Sequence, residues 1–159
     1  AGGVEVDRHP GALPTLSLAN KNLSVVHLLD LPSQWSDVSH LDLSHNRIEM
    51  FPLHQLMALP LHSLSLVGNR LPSLEQNISL LTSVRKLDLS INSLSLVPRS
   101  LQTLVHLREL RLSQNKLIAL STTVLQRVTQ LETLDASRNR LSTIPIDIGR
   151  LARLRVLQL

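Results

Sequence analysis

Leucine and other aliphatic residues recur at a nearly fixed spacing along the chain. Six segments fit one template, L-x-x-L-x-L-x-x-N-x-L, in which x marks variable and mostly polar positions. The segments begin at Leu13, Val38, Leu61, Val84, Leu107 and Leu131, which lie 25, 23, 23, 23 and 24 residues apart. A partial seventh copy runs from Leu154 to Leu159. A period of this length, kept over most of a chain, indicates a repeat protein.

The central part of each copy alternates between apolar and polar residues, which predicts a short β-strand. The leucines would lie on one face of this strand and the variable residues on the other. One strand cannot bury its apolar face alone, so we expect the copies to stack into a parallel sheet over a continuous leucine core. The motif asparagine follows the strand, where its amide can bind unpaired backbone groups of the turn. The template therefore predicts a ladder of asparagines along the stack.

Two copies depart from the template. Lys21 occupies the asparagine position of the first copy, which predicts a less regular first turn. Ala136 replaces a leucine in the sixth copy, so we expect a smaller core side chain beneath that strand.

The second half of each copy is also patterned. Apolar residues recur there at spacings of three, as at Ile78 and Leu81. This spacing predicts a short helix or 3₁₀ turn that packs on the strands. Phe51 and Ile144 occupy equivalent apolar positions, and Phe51 is expected in the core. Trp35 lies between the first two copies, and we expect it to pack over the core rather than to form an exposed anchor for a partner.

The repeated motif resembles that of leucine-rich-repeat proteins, and the resemblance covers residues 13–159. The sixth copy, LSTIPIDIGRLARLRVL, is similar to the intracellular Ras-group type. The resemblance implies an α/β solenoid with a parallel β-sheet on its concave face and short helical or 3₁₀ segments on its convex face. It also implies a scaffold that binds another protein through the concave face, as in signalling. Because the family is functionally broad, the fold says little about the partner.

The pattern divides the chain into an N-terminal tail or irregular cap, residues 1–12, and a repeat domain, residues 13–159, with six repeats and a truncated seventh. A solenoid needs a polar cap on its last core layer. We therefore expect a fragment of a longer protein, or a C-terminal end covered by another surface, as in a homodimer. The chain has neither the cysteine-rich caps of extracellular members nor a signal-peptide pattern, which favours the cytoplasm or nucleus. No apolar run has the length of a membrane span.

Composition excludes several kinds of function. The absence of cysteine excludes disulfides, thiolate metal sites and cysteine nucleophiles. No Gly-rich phosphate loop, G-x-S-x-G or H-E-x-x-H motif is present, so we expect neither an enzyme nor a bound cofactor. Three histidines and an aspartate are grouped in the second and third copies, but without a metal-ligand spacing, so no metal site is predicted. These residues are His40, Asp42, His45 and His62.

Two variable positions flank the second template leucine and would face out from the concave sheet. Neighbouring strands lie about 4.8 Å apart, so equivalent residues should form two columns across the repeats. The candidates for contact with a partner protein are His40, Asp42, His45, Lys86, Asp88, Glu109, Arg111, Asp135 and Arg138. Their mixed signs favour a partner of mixed or acidic charge.

The alternative is that these side chains form a structural ladder. Arg111 would lie between Asp88 and Asp135, and Lys86 would lie beside Glu109. Such salt bridges would then only relieve repulsion between like charges on neighbouring strands.

Basic residues flank the predicted sheet on both sides. Those that follow the motif asparagine are Arg47, Arg70, Lys116 and Arg140, and those at the start of the strands include Arg85, Arg108 and Arg155. With a formal net charge of +4, these edges suit an acidic protein, an anionic ligand or nucleic acid, although surface cations need no ligand. The near absence of aromatic residues argues against nucleic acid.

Two further functions are compatible with the sequence. The first is an extracellular ligand receptor, glycosylated at the N-x-S sequons of Asn22 and Asn77. The second is an architectural or dimerisation module of a larger multidomain protein.

Overall fold

The computed structural model describes residues 6–24, 35–50, 56, 58–74 and 76–159. Within these ranges, eight short strands form one sheet in chain order. Their bounds are β1 Val6–Asp7, β2 Thr15–Ser17, β3 His40–Asp42, β4 Ser63–Ser65, β5 Lys86–Asp88, β6 Glu109–Arg111, β7 Thr133–Asp135 and β8 Val156–Gln158. Strands β2 to β8 pair in parallel, whereas β1 pairs antiparallel with β2. The predicted solenoid, with one strand for each repeat, is confirmed.

The template leucines form the core. The central leucine of each strand from β2 to β7 is at most 2% exposed, and each of these strands has a paired neighbour on both sides. Ala136 is fully buried in the sixth copy, as the smaller core residue expected there. In β8 the equivalent Leu157 is 41% exposed, since this strand pairs with a neighbour on one side.

Each motif asparagine joins its own repeat to the preceding one. The Nδ2 group of Asn92 donates to the backbone oxygens of Leu89 in its own repeat (3.1 Å) and Leu66 in the preceding one (2.9 Å). Its Oδ1 accepts from the backbone N–H of Leu71 at 3.0 Å. The same arrangement recurs at Asn46, Asn69, Asn115 and Asn139. The predicted asparagine ladder is therefore confirmed.

The first turn is less regular than the others, as the lysine at its motif position predicted. The backbone N–H groups of Lys21 and Leu23 both donate to Asn46 Oδ1, at 3.1 and 2.9 Å. Asn20 and Asn22 both have a positive φ, whereas each later turn has one such residue.

Short helices cover the convex side. The 3₁₀ helices span Gln76–Leu80, Arg99–Thr103 and Ile146–Arg150, and the α-helix α1 spans Thr122–Leu125. This agrees with the short outer segments predicted from the spacing of three. None of the helices in the described ranges is long and apolar enough to cross a membrane. Phe51 and the side chain of Asn77 lie outside the described residues.

The predicted apolar residues outside the template differ in their burial. Trp35 is 8% exposed and packs in the core, as expected. Ile144, by contrast, is 59% exposed, although Leu74 and Leu120 at the equivalent position are each 5% exposed. The 3₁₀ helix that follows Ile144 packs against α1 of the preceding repeat.

An N-terminal strand pairs with the edge of the first repeat. Val6 lies opposite Leu16 in the antiparallel pair and packs against the core. Arg8 then forms a two-pronged ion pair with Asp37, at 2.8 and 2.9 Å. These hydrogen bonds raise the pKa of Arg8 and lower the pKa of Asp37, so both groups stay charged.

Candidate functional site

The strand register places two columns of side chains on the concave face. Equivalent template positions lie side by side, because each strand pairs with the next without offset. The first column is Thr15, His40, Ser63, Lys86, Glu109, Thr133 and Val156, and the second is Ser17, Asp42, Ser65, Asp88, Arg111, Asp135 and Gln158. Both columns are as the sequence predicted.

Four charged residues of β5 and β6 form one connected ion-pair cluster. Arg111 Nη2 lies 2.6 Å from Glu109 Oε1, and Arg111 Nη1 lies 3.9 Å from Asp88 Oδ2. Lys86 Nζ lies 3.7 Å from Glu109 Oε2, which confirms the predicted pair. The side chains of Lys86 and Arg111 are 65% and 50% exposed, against 23% and 24% for the two carboxylates. A molecule that approaches the sheet here therefore meets positive charge first.

The strand register places Arg111 between Asp88 and Asp135, as predicted, but Arg111 forms its ion pairs with Asp88 and Glu109 rather than with Asp135. Arg111 contacts Glu109, which lies two positions away on the same face of its own strand, and Asp88 of the preceding strand. Asp135 Oδ1 instead accepts from the backbone N–H and the hydroxyl of Ser137, at 3.0 and 2.7 Å. These local bonds orient the carboxylate toward its own turn.

The three aspartates of the second column share this local role. Asp42, Asp88 and Asp135 each accept, through Oδ1, the backbone N–H of the serine two positions on, at 2.9 to 3.0 Å. Such bonds stabilise the turn that follows the strand. One oxygen of each carboxylate is therefore used by the fold, and the D-x-S spacing in the sequence is the signal of this use.

His40 lies in the first column, with Nδ1 3.0 Å from Ser39 Oγ. Burial lowers the pKa of His40, and the nearby His62 and Lys86 lower it further. The imidazole is therefore favoured in its neutral form, as a hydrogen-bonding group rather than a cation. Among the residues that the structure describes, no group of three or more histidine, aspartate or glutamate side chains is placed to hold a metal ion.

Two of the predicted contact residues lie apart from the concave columns. His45 and Arg138 occupy the turns that follow β3 and β7, and both have a left-handed backbone with φ of 53° and 55°. The turn carries their side chains to the lateral edge of the solenoid. Their role in binding stays a prediction, and it would concern the lateral edge of the solenoid rather than the concave face.

Two serines that were not among the predicted contact residues complete the concave site. Ser63 and Ser65 lie on β4 next to the ion-pair cluster, and their small side chains leave a shallow depression of about 260 Å³. Lys86, Asp88 and Arg111 line it from the other side. The signal in the sequence is a strand with two small side chains followed by two strands with four long charged ones.

Known proteins support the fold. Residues 60–117 and 105–159 match the family model described as leucine rich repeat, which together is more than half of the chain. A leucine-rich-repeat protein of Leptospira interrogans is similar in structure, with a TM-score of 0.74 and 31% sequence identity. The match covers 79% of this chain and 32% of that one, so the chain spans about a third of that protein's length.

Other matches do not narrow the function. In all, 279 chains of solved structures match this fold, whereas no curated protein sequence matches the chain significantly. A fold that is shared so widely supports protein interaction in general but no particular partner. From the repeats, their register and the matching family model, the chain belongs to the leucine-rich-repeat family.

Proposed function

We propose that this chain recognises a partner protein through its concave face, at the depression between β4 and β6. The observation that carries the proposal is the ion-pair cluster of Lys86, Asp88, Glu109 and Arg111 beside the small side chains of Ser63 and Ser65. The other predicted contact residues of the columns, His40, Asp42 and Asp135, extend this surface on both sides.

The site supports binding because its side chains are held before a ligand arrives. Arg111 is paired with both Glu109 and Asp88, at 2.6 and 3.9 Å, and the strands beneath the cluster are fixed by a buried core. A ligand therefore has to order few side chains, which lowers the entropic cost of association.

The exposed charges indicate the chemistry of the partner. Lys86 is the most exposed member of the cluster, and its 3.7 Å contact with Glu109 is long enough to yield to a second carboxylate. Ser63 and Ser65 offer hydroxyl groups next to it. The site therefore suits a partner loop that brings an acidic side chain to Lys86 and a polar group to the serines.

The test fills the depression without a change of charge. Ser65→Tyr places a large side chain in the depression, whereas Ser17→Tyr makes the same change in the same column two strands away. Wild type, both variants and Lys86→Glu would be immobilised and exposed to nuclease-treated lysate. Circular dichroism and urea unfolding would show that each variant is folded.

We expect a defined protein that binds wild type and Ser17→Tyr but is retained about tenfold less by Ser65→Tyr and Lys86→Glu. Equal capture by all four proteins would show that the depression is not the site. In that case the ion pairs are a structural ladder, and the function belongs to another surface.

A further inference from the structure

The turns that leave strands β2 to β7 form one lateral side of the solenoid, here named the turn edge (residues 19–24, 44–50, 67–73, 90–96, 113–119 and 137–143). It carries six basic residues and one acidic residue: Lys21, Arg47, Arg70, Lys116, Arg138, Arg140 and Glu49. The chain has 16 basic and 12 acidic residues in total, so the rest of the chain carries ten basic and eleven acidic residues. The excess positive charge of the chain is therefore located on the turn edge.

A groove of about 570 Å³ crosses the turn edge at its first four turns. Gly68 lines the groove, and the His45 ring packs directly against it, since a Cβ atom at this position would lie 2.6 Å from His45 Nδ1. The side chains of Arg47, Arg70 and Ile91 line the groove together with His45 and asparagines of the turns.

Ile91 is unusual in this groove. Its φ of 56° places a β-branched residue in the left-handed region, at a cost of about 1–3 kcal/mol. The side chain is 41% exposed, so burial returns only part of this cost. An apolar side chain held in a strained and exposed position suits contact with a ligand better than it suits the stability of the turn.

The two arginines are available to an anion. Arg47 is exposed and makes no ion pair within the described part of the chain. Arg70 contacts Glu49 at 3.6 Å, but both side chains are more than 60% exposed. Exposed pairs of this kind contribute about 0–1 kcal/mol, so a ligand carboxylate can replace Glu49.

We propose that this groove binds an extended acidic segment of a partner protein. Carboxylates of the segment would pair with Arg47 and Arg70, and an aliphatic side chain between them would contact Ile91. A peptide fits this surface better than nucleic acid does, because Ile91 offers an apolar contact and no Phe, Tyr or Trp is among the described residues that line the groove. The surface is separate from the concave depression, so the two proposals can fail independently.

The test is a two-dimensional ¹⁵N–¹H NMR titration of the full chain with a synthetic peptide of Glu-Glu-Leu repeats. The same peptide with glutamine in place of glutamate controls for charge, and a short oligothymidylate controls for a general polyanion effect. Arg47→Glu/Arg70→Glu is the binding variant. Arg127→Glu/Arg153→Glu makes the same change of charge at exposed positions outside the turn edge.

We expect shifts at Gly68 and Ile91 and their neighbours, none at Lys86 or Arg111, and weaker binding as salt rises from about 50 to 300 mM. The Arg47/Arg70 variant should bind about tenfold more weakly and the Arg127/Arg153 variant as wild type does. Ile91→Asn should weaken binding while the protein stays folded.

Three outcomes would overturn the proposal. One is the absence of shifts at the turn edge, and another is equal binding of the glutamine peptide. The third is binding of the oligothymidylate without binding of the acidic peptide, which would make the edge a nucleic-acid surface.

Discussion

The residue before each motif asparagine, or before Lys21 in the first copy, has the same left-handed backbone, whatever its side chain. The position holds asparagine, histidine, glycine, isoleucine, glutamine and arginine in turn, with φ between 53° and 65°. The backbone N–H of this residue donates to the next repeat in each of the first five turns, as from Ile91 to the oxygen of Ser113 at 2.9 Å. Contacts between repeats therefore fix this conformation against the preference of the individual residue.

Relief of the strain at Ile91 should stabilise the protein. We expect Ile91→Asn to raise the free energy of unfolding by about 1 kcal/mol, because asparagine tolerates the left-handed region. Urea unfolding followed by circular dichroism measures the change. Ile118→Asn is the matched control, since Ile118 is 55% exposed and is not among the residues with positive φ. A lower stability of Ile91→Asn than of wild type would show that its apolar contacts outweigh the strain.

The lowered pKa of His40 predicts a stability that depends on pH. Between the unfolded value, about 6.5, and the lower folded value, the unfolded chain binds the extra proton. The free energy of unfolding should therefore fall as the pH drops through this window and should be fully present above it. His40→Gln should show a smaller fall between about pH 8 and pH 5 in urea unfolding. Titration of the His40 ring by NMR at or above the ordinary value would contradict this prediction.

At the scale of elements, the strands are too short to be held by their own pairing. Each has two or three residues, and the asparagine side chains add bonds from one repeat to the next at the point where the strand pairing ends. The buried asparagines therefore act as part of the sheet rather than as surface polar groups.

The stability lost when one of these asparagines is replaced should depend on the position of its repeat in the stack. Asn92→Ala leaves buried backbone groups without partners, and we expect a loss of about 2–4 kcal/mol in the free energy of unfolding. Asn139 makes the same bonds but is only partly buried, so water can replace part of what Asn139→Ala removes. Urea unfolding of the two variants measures the difference, and equal losses would contradict the role of burial.

At the scale of the whole molecule, stability is distributed along one axis. Each repeat contacts its neighbours in the sheet, and burial decreases from the middle of the stack to β8, whose three residues are all exposed. Proteins of this kind are stabilised by repeats and by the interfaces between them, and they can open from an end.

Amide hydrogen exchange should show this gradient. We expect the slowest exchange in β4 to β6 and exchange at least about tenfold faster in β8. Peptide-resolved mass spectrometry in native buffer measures it for the whole chain. Equal protection of β5 and β8 would indicate a single cooperative unit and would contradict the prediction.

The sequence predicts most of the fold because a repeated period leaves one way to stack the strands. The columns, the asparagine ladder and the burial of Ala136 follow from it directly. The pairing of β1 does not, since Val6 and Asp7 lie before the first template copy. The ion-pair partners of Arg111 do not follow from the repeat either, because they depend on which hydrogen bonds the neighbouring carboxylates already accept. The groove beside Gly68 was also missed, because it depends on how side chains from four turns are arranged.

The even spacing of residues along each concave column limits how the residues of an extended ligand can be aligned with the strands. Residues of an extended peptide repeat about every 3.4 Å, whereas the strands beneath it repeat about every 4.8 Å. Seven such residues span about the same distance as five strands, so the two periods coincide only at intervals of that length. A peptide that lies along the columns, and so crosses the strands, can therefore be in good register with only one or two of the strands at a time. Its specificity would be concentrated in a few side chains, and sequence changes between those points would be tolerated.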